Sequence, residues 1–272
     1  MNEVRLTFRG TGGSRIPLDA DSLTPDLFRD RDQTEIEKLP LHHGNAAGVV
    51  GDFFTVRGGR SDQVAIEGDL ALVKGIGTAM TGGVLRVEGN AGMHVGAQMS
   101  GGRIEVSGNA DDWAGAEMTG GLLWIKGNAG NRAGGAYRGS RHGMRGGVVF
   151  VEGNAGHEVG GYMRRGLIVV KGDVQDFAGA RMSSGTVLVF GSAGIRTGGG
   201  MKRGTIVVYR PPVILPTFKR TAVFTPLFLA VQLNALRRFG FPLADGFERP
   251  RPFLRYHGDL AELGRGEILV PA

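Results

Sequence analysis

The hexapeptide VEGNAG occupies residues 87–92 and recurs, letter for letter, at residues 151–156. A glycine-rich string of this kind is typical either of a phosphate-binding loop or of a repeated backbone. The spacing favours a repeat, because glycines equivalent to Gly89 return after 19, 19, 26, 19 and 19 residues. The anchor glycines are Gly68, Gly89, Gly108, Gly127, Gly153, Gly172 and Gly191. An insertion of seven residues around RGSRHG at 138–143 accounts for the longest interval.

A short apolar strand precedes each anchor position. The strands are VAIE, LRVE, IEVS, LWIK, VFVE, IVVK, VLVF and IVVY, the last at 206–209, where Arg210 replaces the glycine. Alternate positions of every strand are aliphatic, which places them on one face of a pleated strand. A strand of four residues cannot bury that face alone, whereas coils stacked about 4.8 Å apart form a continuous core. The repeat therefore predicts an all-β solenoid of seven or eight coils.

Other residue types also return at fixed positions of the repeat. Seven of the nine methionines lie nine residues before the next anchor position. They are Met80, Met99, Met118, Met144, Met163, Met182 and Met201. A row of adaptable thioether side chains predicts a core corner rather than a cofactor site. Two glycine columns, beginning at Gly83 and Gly96, predict bends with positive φ or close backbone approach. A column of Asn residues that begins at Asn90 predicts a hydrogen-bonded ladder along the stack.

Three segments divide the chain. They are an N-terminal arm and cap at 1–63, the solenoid at 64–210, and a C-terminal extension at 211–272. Within the extension, the string TPLFLAVQLNALRRFG predicts a helix near 226–239. Thr225 is the expected N-cap and Gly240 the expected terminator of this helix.

The amino-acid composition limits the classes of function that this chain can have. The 272 residues contain 49 glycines and no cysteine, which excludes disulfides, Cys-ligated zinc, iron–sulfur ligation and thiol catalysis from the chain itself. The N-terminal string MNEVRLTFRG has no apolar signal core, and no apolar run approaches the roughly 20 residues of a membrane span. We therefore expect a soluble cytoplasmic protein that binds neither membrane nor nucleic acid. The net charge of +6 is compatible with an anionic partner.

The outward strand position three residues before each anchor changes character along the chain. The early coils carry Ala65, Arg86 and Glu105 there, whereas later coils carry apolar residues. These are Trp124, Phe150, Val169, Leu188 and Val207. Soluble proteins rarely expose a contiguous apolar stripe of this size, so an interaction must cover it. The cover is either the chain's own C-terminal helix or a partner subunit.

A second change makes one edge of the solenoid basic. Positions that follow the methionine column are Thr or Ser in early coils and Arg or Lys in later ones, and the insertion adds further arginines. The basic residues are Arg138, Arg141, Arg145, Arg164, Arg165, Arg181, Lys202 and Arg203. This basic edge is either an ordinary solvated surface or a track for an anionic carrier or acidic partner. His142 in the insertion is a lone histidine, which is more often simply exposed than functional.

Sequence motifs for catalysis or for binding a cofactor or metal are weak in this chain. The Gly-rich strings lack both the βαβ context of a dinucleotide site and the GK[ST] of a P-loop. His42 and His43 are adjacent, so they cannot easily face one metal ion from a regular strand. Carboxylates such as Asp111, Asp112 and Asp176 occupy turns without a repeated calcium pattern. We predict no catalytic residue, metal site or cofactor site in this chain.

The repeats GNAGMHVGAQMSGG, GNADDWAGAEMTGG, GNAGHEVGGYMRRG and GSAGIRTGGGMKRG resemble those of the C subunit of formylmethanofuran dehydrogenase. They also resemble the GXGXG β-helix at the C-terminus of the glutamate synthase large subunit, although this chain shows no glutaminase or flavin domain. LPLHHGN and VGDFFTVRG, within residues 39–58, extend the resemblance to the C subunit into the N-terminal arm. The resemblance implies a right-handed, single-stranded β-helix. The cysteine-free, arginine-rich sequence is most similar to the C subunits of bacterial formyltransferase/hydrolase complexes.

The resemblance also implies a function. A complex of this type moves a formyl group from formyl-tetrahydromethanopterin to a methanofuran-type carrier and hydrolyses formylmethanofuran to formate, in one-carbon metabolism of methylotrophs. Its metals and pterin site belong to partner subunits, of the amidohydrolase-like A, the B and the formyltransferase-like D types. This chain would then be a non-catalytic scaffold, whose basic edge could bind the polyglutamate tail of the carrier. The C subunit of a carbon dioxide-reducing formylmethanofuran dehydrogenase and a stand-alone β-helix enzyme are the alternatives.

Overall fold

The structure, a computed structural model, describes residues 3–243 and 249–272. Within these ranges the chain is mostly β-structure. The strands are β1 Val4–Phe8, β2 Leu18–Asp19, β3 Pro40–His43, β4 Ala46–Val49, β5 Phe54–Arg57, β6 Gln63–Glu67, β7 Val73–Lys74, β8 Val84–Glu88, β9 Arg103–Val106, β10 Thr119–Ile125, β11 Arg145–Val151, β12 Arg165–Val170, β13 Thr186–Val189, β14 Arg203–Val208, β15 Lys219–Phe224, β16 Phe253–Gly258 and β17 Arg265–Pro271. The helices are α1 Pro25–Phe28, α2 Gln33–Glu37, α3 Val50–Phe53 and α4 Leu227–Arg238.

One large sheet contains the predicted repeat strands. Its order is β15-β16-β17-β14-β13-β12-β11-β10-β9-β8-β6-β1-β5, and every pairing from β1 through β6 to β14 and β17 is parallel. Residues one repeat apart are paired, as Ile104 with Leu123 and Leu123 with Val149. A second row of parallel bridges joins equivalent residues from Leu70 to Ala193. Successive repeats therefore stack in register on two sides, an arrangement consistent with a β-helix.

The interior of the stack contains the predicted core columns. All seven column methionines have no exposed surface, and neither do strand residues such as Ile104, Leu123 and Val149. The interpretation of the methionine column as core is thus confirmed. Burial of each aliphatic side chain of this size contributes roughly 1.5–3 kcal/mol, so the repeated columns supply most of the hydrophobic stabilisation.

Glycine is required where neighbouring coils approach most closely. A Cβ atom on Gly146 would collide with the carbonyl oxygen of Thr119 on the preceding coil. Gly147 has φ of +82°, and a Cβ atom there would lie 2.7 Å from the carbonyl oxygen of Gly120. Both predicted reasons for the glycine columns, positive φ and close approach, therefore apply.

The predicted Asn ladder is present, and its bonds run from side chain to backbone. The Oδ1 atom of Asn90 accepts the backbone N–H of Asn109 at 2.8 Å, and Asn109 accepts that of Asn128 at the same distance. The series continues through Asn154 and Asp173. An amide and a carboxylate serve equally well in it because only the oxygen atom is used.

Helix α4 covers the apolar outer column. Phe150, Val169, Leu188 and Val207 have no exposed surface and Trp124 is 8% exposed, so the intramolecular alternative is the one observed. The same buried cluster contains Leu229, Leu233 and Leu236 of α4, with Phe241, Phe253 and Leu269. The same five column residues, predicted as an interaction surface, are consequently unavailable to a partner in this structure.

The ends of α4 differ in part from the prediction. Pro226, not Thr225, is the N-cap, and no side chain caps this end. Gly240 terminates the helix as expected, with φ of +82° and its N–H bonded to the carbonyl of Arg237 at 2.9 Å. The N–H of Phe241 bonds to the carbonyl of Leu236 at 3.0 Å, which completes a Schellman motif. This turn directs the ring of Phe241 to within 4.8 Å of the Phe150 ring centroid.

The large sheet crosses both of the segment boundaries drawn from the sequence. Strand β1 in the N-terminal arm pairs in parallel with β6, and β17 in the C-terminal extension pairs in parallel with β14. Antiparallel β5 and β15 form the two edges of the sheet. The N-terminal arm also contains the short helices α1 to α3 and contributes β2, β3 and β4 to a small sheet of order β4-β3-β2-β7, whose β7 belongs to the solenoid segment. Strands from both arms thus extend the large sheet at its two ends.

Candidate functional site

Two adjoining cavities lie beside the insertion on one side of the stack. They have volumes of about 880 Å³ and 570 Å³ and share Arg141, Tyr162, Arg181 and Glu262 among their lining residues. We call this concave surface the basic groove. Its charged lining side chains are Arg132, Arg138, Arg141, Arg164, Arg181, Arg196, Lys202, Glu158, Asp259 and Glu262. With seven basic and three acidic groups, the groove is suited to an anionic ligand.

A single corner of successive coils supplies much of the groove. Six non-glycine residues at this corner have positive φ values between 57° and 67°. They are His94, Trp113, Arg132, Glu158, Phe177 and Arg196, and we call them the corner column. Left-handed backbone is uncommon for such residues and is tolerated here because the surrounding coils fix each turn.

Neighbours in the corner column contact one another along the stack. The rings of His94 and Trp113 stack with centroids 5.3 Å apart, and the Arg132 guanidinium lies 6.0 Å from the Trp113 ring centroid. Arg132 forms an ion pair with Glu158 at 2.9 Å. Arg196 covers the ring of Phe177 at 5.3 Å. These contacts hold the column side chains in place at the wall of the groove.

Tyr137 connects the start of the insertion to the corner column. Its hydroxyl lies 3.2 Å from Nδ1 of His94, and its ring is tilted against that of Trp113. Burial, together with the nearby carboxylates of Glu117 and Asp21, raises the pKa of Tyr137 to about 12. Burial and then the charge of Lys74 lower the pKa of His94. Both shifts favour the neutral forms of the two groups.

Part of the positive charge of the groove lacks a counter-charge. Lys202 lies 3.8 Å from Glu262, and Arg181 bonds to the hydroxyl of Tyr162. Arg138, Arg141 and Arg164 are exposed and have no ion-pair partner among residues 3–243 and 249–272. Those three guanidinium groups remain available for carboxylates or phosphates, which they can bind in bidentate fashion.

Asp259 at the floor of the groove is 5% exposed. Its carboxylate accepts backbone N–H groups of Gly200 and Ala261, both at 2.9 Å. Burial alone would raise the pKa of Asp259, but these two N–H groups and the nearby hydroxyl of Thr217 outweigh it and hold the pKa below its usual value. The residue joins the C-terminal extension to the last coil, which is a structural function.

A second ladder borders the groove and was not predicted. Oδ1 of Asp112 accepts the backbone N–H of Asn131 at 2.7 Å, and Oδ1 of Asn131 accepts that of His157 at 2.9 Å. His157 and Asp176 continue the series toward Ile195. Asp112 and Asp176, attributed to ordinary turns from the sequence, therefore stabilise the stacking of corners.

The predicted basic edge divides into two groups. Arg138, Arg141, Arg164, Arg181 and Lys202 line the basic groove. The other three do not line it. They are Arg145, Arg165 and Arg203. Arg145, Arg165 and Arg203 begin strands β11, β12 and β14, whereas the five groove residues lie in the segments between strands. Carrier binding by any of the eight stays a prediction. Sequence reasoning also missed Arg132, Arg196 and Asp259 in the groove.

The histidines discussed above do not converge. His43 Nε2 lies 3.1 Å from the carbonyl oxygen of Ile16, and His142 is exposed in the insertion. Throughout residues 3–243 and 249–272, no three His, Cys, Asp or Glu side chains cluster as metal ligands would. Among those same residues, no helix has the length and apolar character needed to cross a membrane.

Comparisons with known proteins identify the family. Residues 84–215 match the GXGXG motif model. The chain is 52% identical to the C subunit of the Fhc formyltransferase/hydrolase complex of Methylorubrum extorquens, over 100% of both chains. A crystal structure is known for the formyltransferase/hydrolase complex (FhcABCD) from Methylorubrum extorquens in complex with methylofuran. This chain superimposes on a chain of that structure with a TM-score of 0.90 and 36% identity, over 98% of this chain and 99% of the other.

Archaeal relatives match over a shorter range. The C subunit of the tungsten-containing formylmethanofuran dehydrogenase 2 of Methanothermobacter thermautotrophicus is 45% identical over 100 residues. That alignment covers 35% of this chain and 36% of the relative, so the chain aligns with about a third of the archaeal subunit's length. The match along the entire chain is therefore the decisive one, and this chain belongs to the family of C subunits of formyltransferase/hydrolase complexes.

Proposed function

We propose that this chain is the non-catalytic scaffold subunit of a formyltransferase/hydrolase complex that transfers a formyl group from formyl-tetrahydromethanopterin to a methanofuran-type carrier and releases formate. The observation that carries the proposal is the 52% identity along the whole chain to the C subunit of such a complex. Partners of the A, B and D types would hold the metals and the pterin site. The setting would be cytoplasmic one-carbon metabolism.

The architecture supports a scaffold. The finer description, a right-handed β-helix of seven to eight coils, gives a stack roughly 30–40 Å long at about 4.8 Å per coil. Its core is continuous and its ladders bond one coil to the next, so the stack would resist bending. A stiff body of that length can hold two catalytic subunits at a fixed separation.

Purification of the native assembly through a tag on this chain tests the proposal. We expect the other subunits to co-purify in constant proportion, with both formyl transfer and formylmethanofuran hydrolysis in the same particle. A cell that lacks this chain should lose the coupled reaction. Recovery of the tagged chain as a lone monomer, or retention of both activities without it, would disprove the scaffold function.

A second proposal concerns the basic groove. We infer that Arg138, Arg141, Arg164, Arg181 and Lys202 bind the anionic, glutamate-rich tail of the carrier and keep it near the partner active sites. The three unpaired guanidinium groups and the excess of basic over acidic lining residues support this use. Such binding would be electrostatic and therefore sensitive to salt.

Charge reversal in the groove tests this second proposal. We expect Arg141→Glu/Arg164→Glu in the intact complex to raise the apparent KM for the carrier and to reduce its dependence on salt. Arg57→Glu is the matched control, since Arg57 is exposed on β5 at the other end of the sheet. Equal kinetics for the groove variant and the control would show that these arginines form an ordinary solvated surface.

A further inference from the structure

The residues of the basic edge that lie outside the groove form a surface of their own. Arg145 is paired with Arg165 across β11 and β12, and Arg203 is paired with Arg265 across β14 and β17. Continuing the register of β12, β13 and β14 places Ser184 between the two pairs. A register shift between Arg145 and Val148 sets Arg145 opposite Arg165. The resulting row, which we call the arginine ladder, runs from β11 to β17 and passes Ser184, two residues before β13 begins.

The spacing of the arginine ladder is that of the sheet. Adjacent strands are about 4.8 Å apart, so four arginines lie within a row of roughly 19 Å. All four are exposed. Among residues 3–243 and 249–272, none of the four has an ion-pair partner. Like charges directly opposite each other on neighbouring strands repel, which makes this row unfavourable unless an anionic group lies against it.

We propose that the arginine ladder is the docking surface for an acidic peptide segment of another subunit of the assembly. The proposal rests on the proposed scaffold function, because it requires that the chain be part of a complex. A helix places carboxylates at i, i+3 and i+7 about 5 Å apart along one face, close to the spacing of the strands. About 13 residues of such a helix span the ladder.

The surroundings of the ladder favour a protein segment over other polyanions. Single-stranded nucleic acid is generally held by basic residues interleaved with aromatic rings that stack on the bases. The ladder positions are Arg and Ser only, and a glycine follows each arginine, at Gly146, Gly166, Gly204 and Gly266. The aromatic rings of this region belong instead to the corner column and the groove.

The absence of cysteine in the sequence allows a direct test. In Ser184→Cys the new thiol lies at the centre of the ladder and can be labelled with a benzophenone maleimide before the complex is reconstituted. We expect ultraviolet light to link this position to a peptide of another subunit that is rich in Asp and Glu. Thr55→Cys, exposed on β5, is the matched control and should give a different product or none.

Charge reversal provides an independent measurement. In Arg165→Glu/Arg203→Glu, we expect the affinity for the cross-linked subunit to fall about tenfold or more at 0.1 M salt and the salt dependence to weaken. Arg165→Lys/Arg203→Lys should retain most of the affinity because it keeps the charge. The folding of each variant is checked by its urea midpoint.

The outcomes separate the two proposals. If the wild-type chain purifies without any partner, the scaffold function itself fails. If partners bind but Ser184→Cys cross-links to a neutral peptide, to nucleic acid or to the carrier, the ladder proposal is overturned. It is also overturned if Arg165→Glu/Arg203→Glu binds its partners with unchanged affinity and salt dependence.

Discussion

Removing one buried leucine from α4 should release this helix from the stack. Leu233 is 2% exposed and packs against the apolar outer column, whereas Val231 on the same helix is 70% exposed. Leu233→Ala and Val231→Ala therefore both shorten an aliphatic side chain in one helix, but only the first removes packing. The comparison isolates the contribution of the buried face from that of helix propensity.

The expected magnitudes differ by several-fold. A buried Leu→Ala substitution costs about 2–5 kcal/mol, whereas a surface substitution such as Val231→Ala changes stability by about 0.5 kcal/mol or less. An isolated helix of 12 residues is marginal in water, so α4 depends on its packing for stability. We expect the loss in Leu233→Ala to appear as local release of the helix before the sheet unfolds.

Fluorescence of Trp124 reports this release. The chain has two tryptophans, and Trp113→Phe leaves only Trp124, which is 8% exposed beneath the residues that follow α4. In that background, Leu233→Ala should shift the Trp124 emission to longer wavelength at urea concentrations at which Val231→Ala does not. Identical titrations for the two variants, with one transition each, would refute the view that α4 is held by its buried face.

Three further predictions concern other parts of the fold. Gly146→Ala should prevent stacking of the insertion coil and leave mostly insoluble chain. In Gly139→Ala the added Cβ meets no atom within 4 Å, so this variant should lose only about 1–2 kcal/mol of stability because of its positive φ, as urea titration would show. Asp259→Asn should lose about 1–3 kcal/mol at pH 7. Because the folded pKa of Asp259 lies below its unfolded value, that difference should shrink as pH falls below about 4, and a constant difference from pH 7 to pH 3 would contradict this. Burial raises the pKa of Tyr137 to about 12, so Tyr137→Phe should leave the phenolate absorbance at pH 11 almost unchanged. If the variant instead lost the phenolate absorbance of one exposed tyrosine, that result would contradict the burial of Tyr137.

The sequence predicted the parts of the fold that repeat and missed most of those that do not. The anchor glycines and methionines recur every 19 residues, so the strands and the core followed from their positions alone. Strands β1 and β17 extend the same sheet, yet their sequences VRLTF and RGEILVP lie outside the period. Their pairing depends on contacts with β6 and β14 that are distant in the chain, for which periodicity gives no signal.

The groove could be predicted only in part. The arginines of the insertion and of the later coils were recognisable as a departure from the repeat. The corner column was not recognisable, because its six residues share a backbone position but are of five different types. They are His94, Trp113, Arg132, Glu158, Phe177 and Arg196. A search for positions that combine a common place in the repeat with dissimilar, large side chains would have found it. Asp259 comes from the extension and reaches the groove only through tertiary structure.

In two of the coils, the surface to which a basic residue belongs follows from its position after the column methionine. In the insertion coil, the register shift of β11 instead sets Arg145, which directly follows Met144, opposite Arg165. Arg164 directly follows Met163 and lines the groove, whereas Arg165, one residue further on, faces the arginine ladder. Arg165 is the first residue of β12 and Arg164 lies just before that strand, so these two adjacent positive charges belong to different surfaces. Two coils away, Lys202 lies just before β14 and lines the groove, whereas Arg203, the first residue of β14, belongs to the ladder. One rigid stack can thus present an anionic-ligand groove and a subunit-docking row side by side, and substitutions one residue apart should affect carrier affinity in one case and assembly in the other.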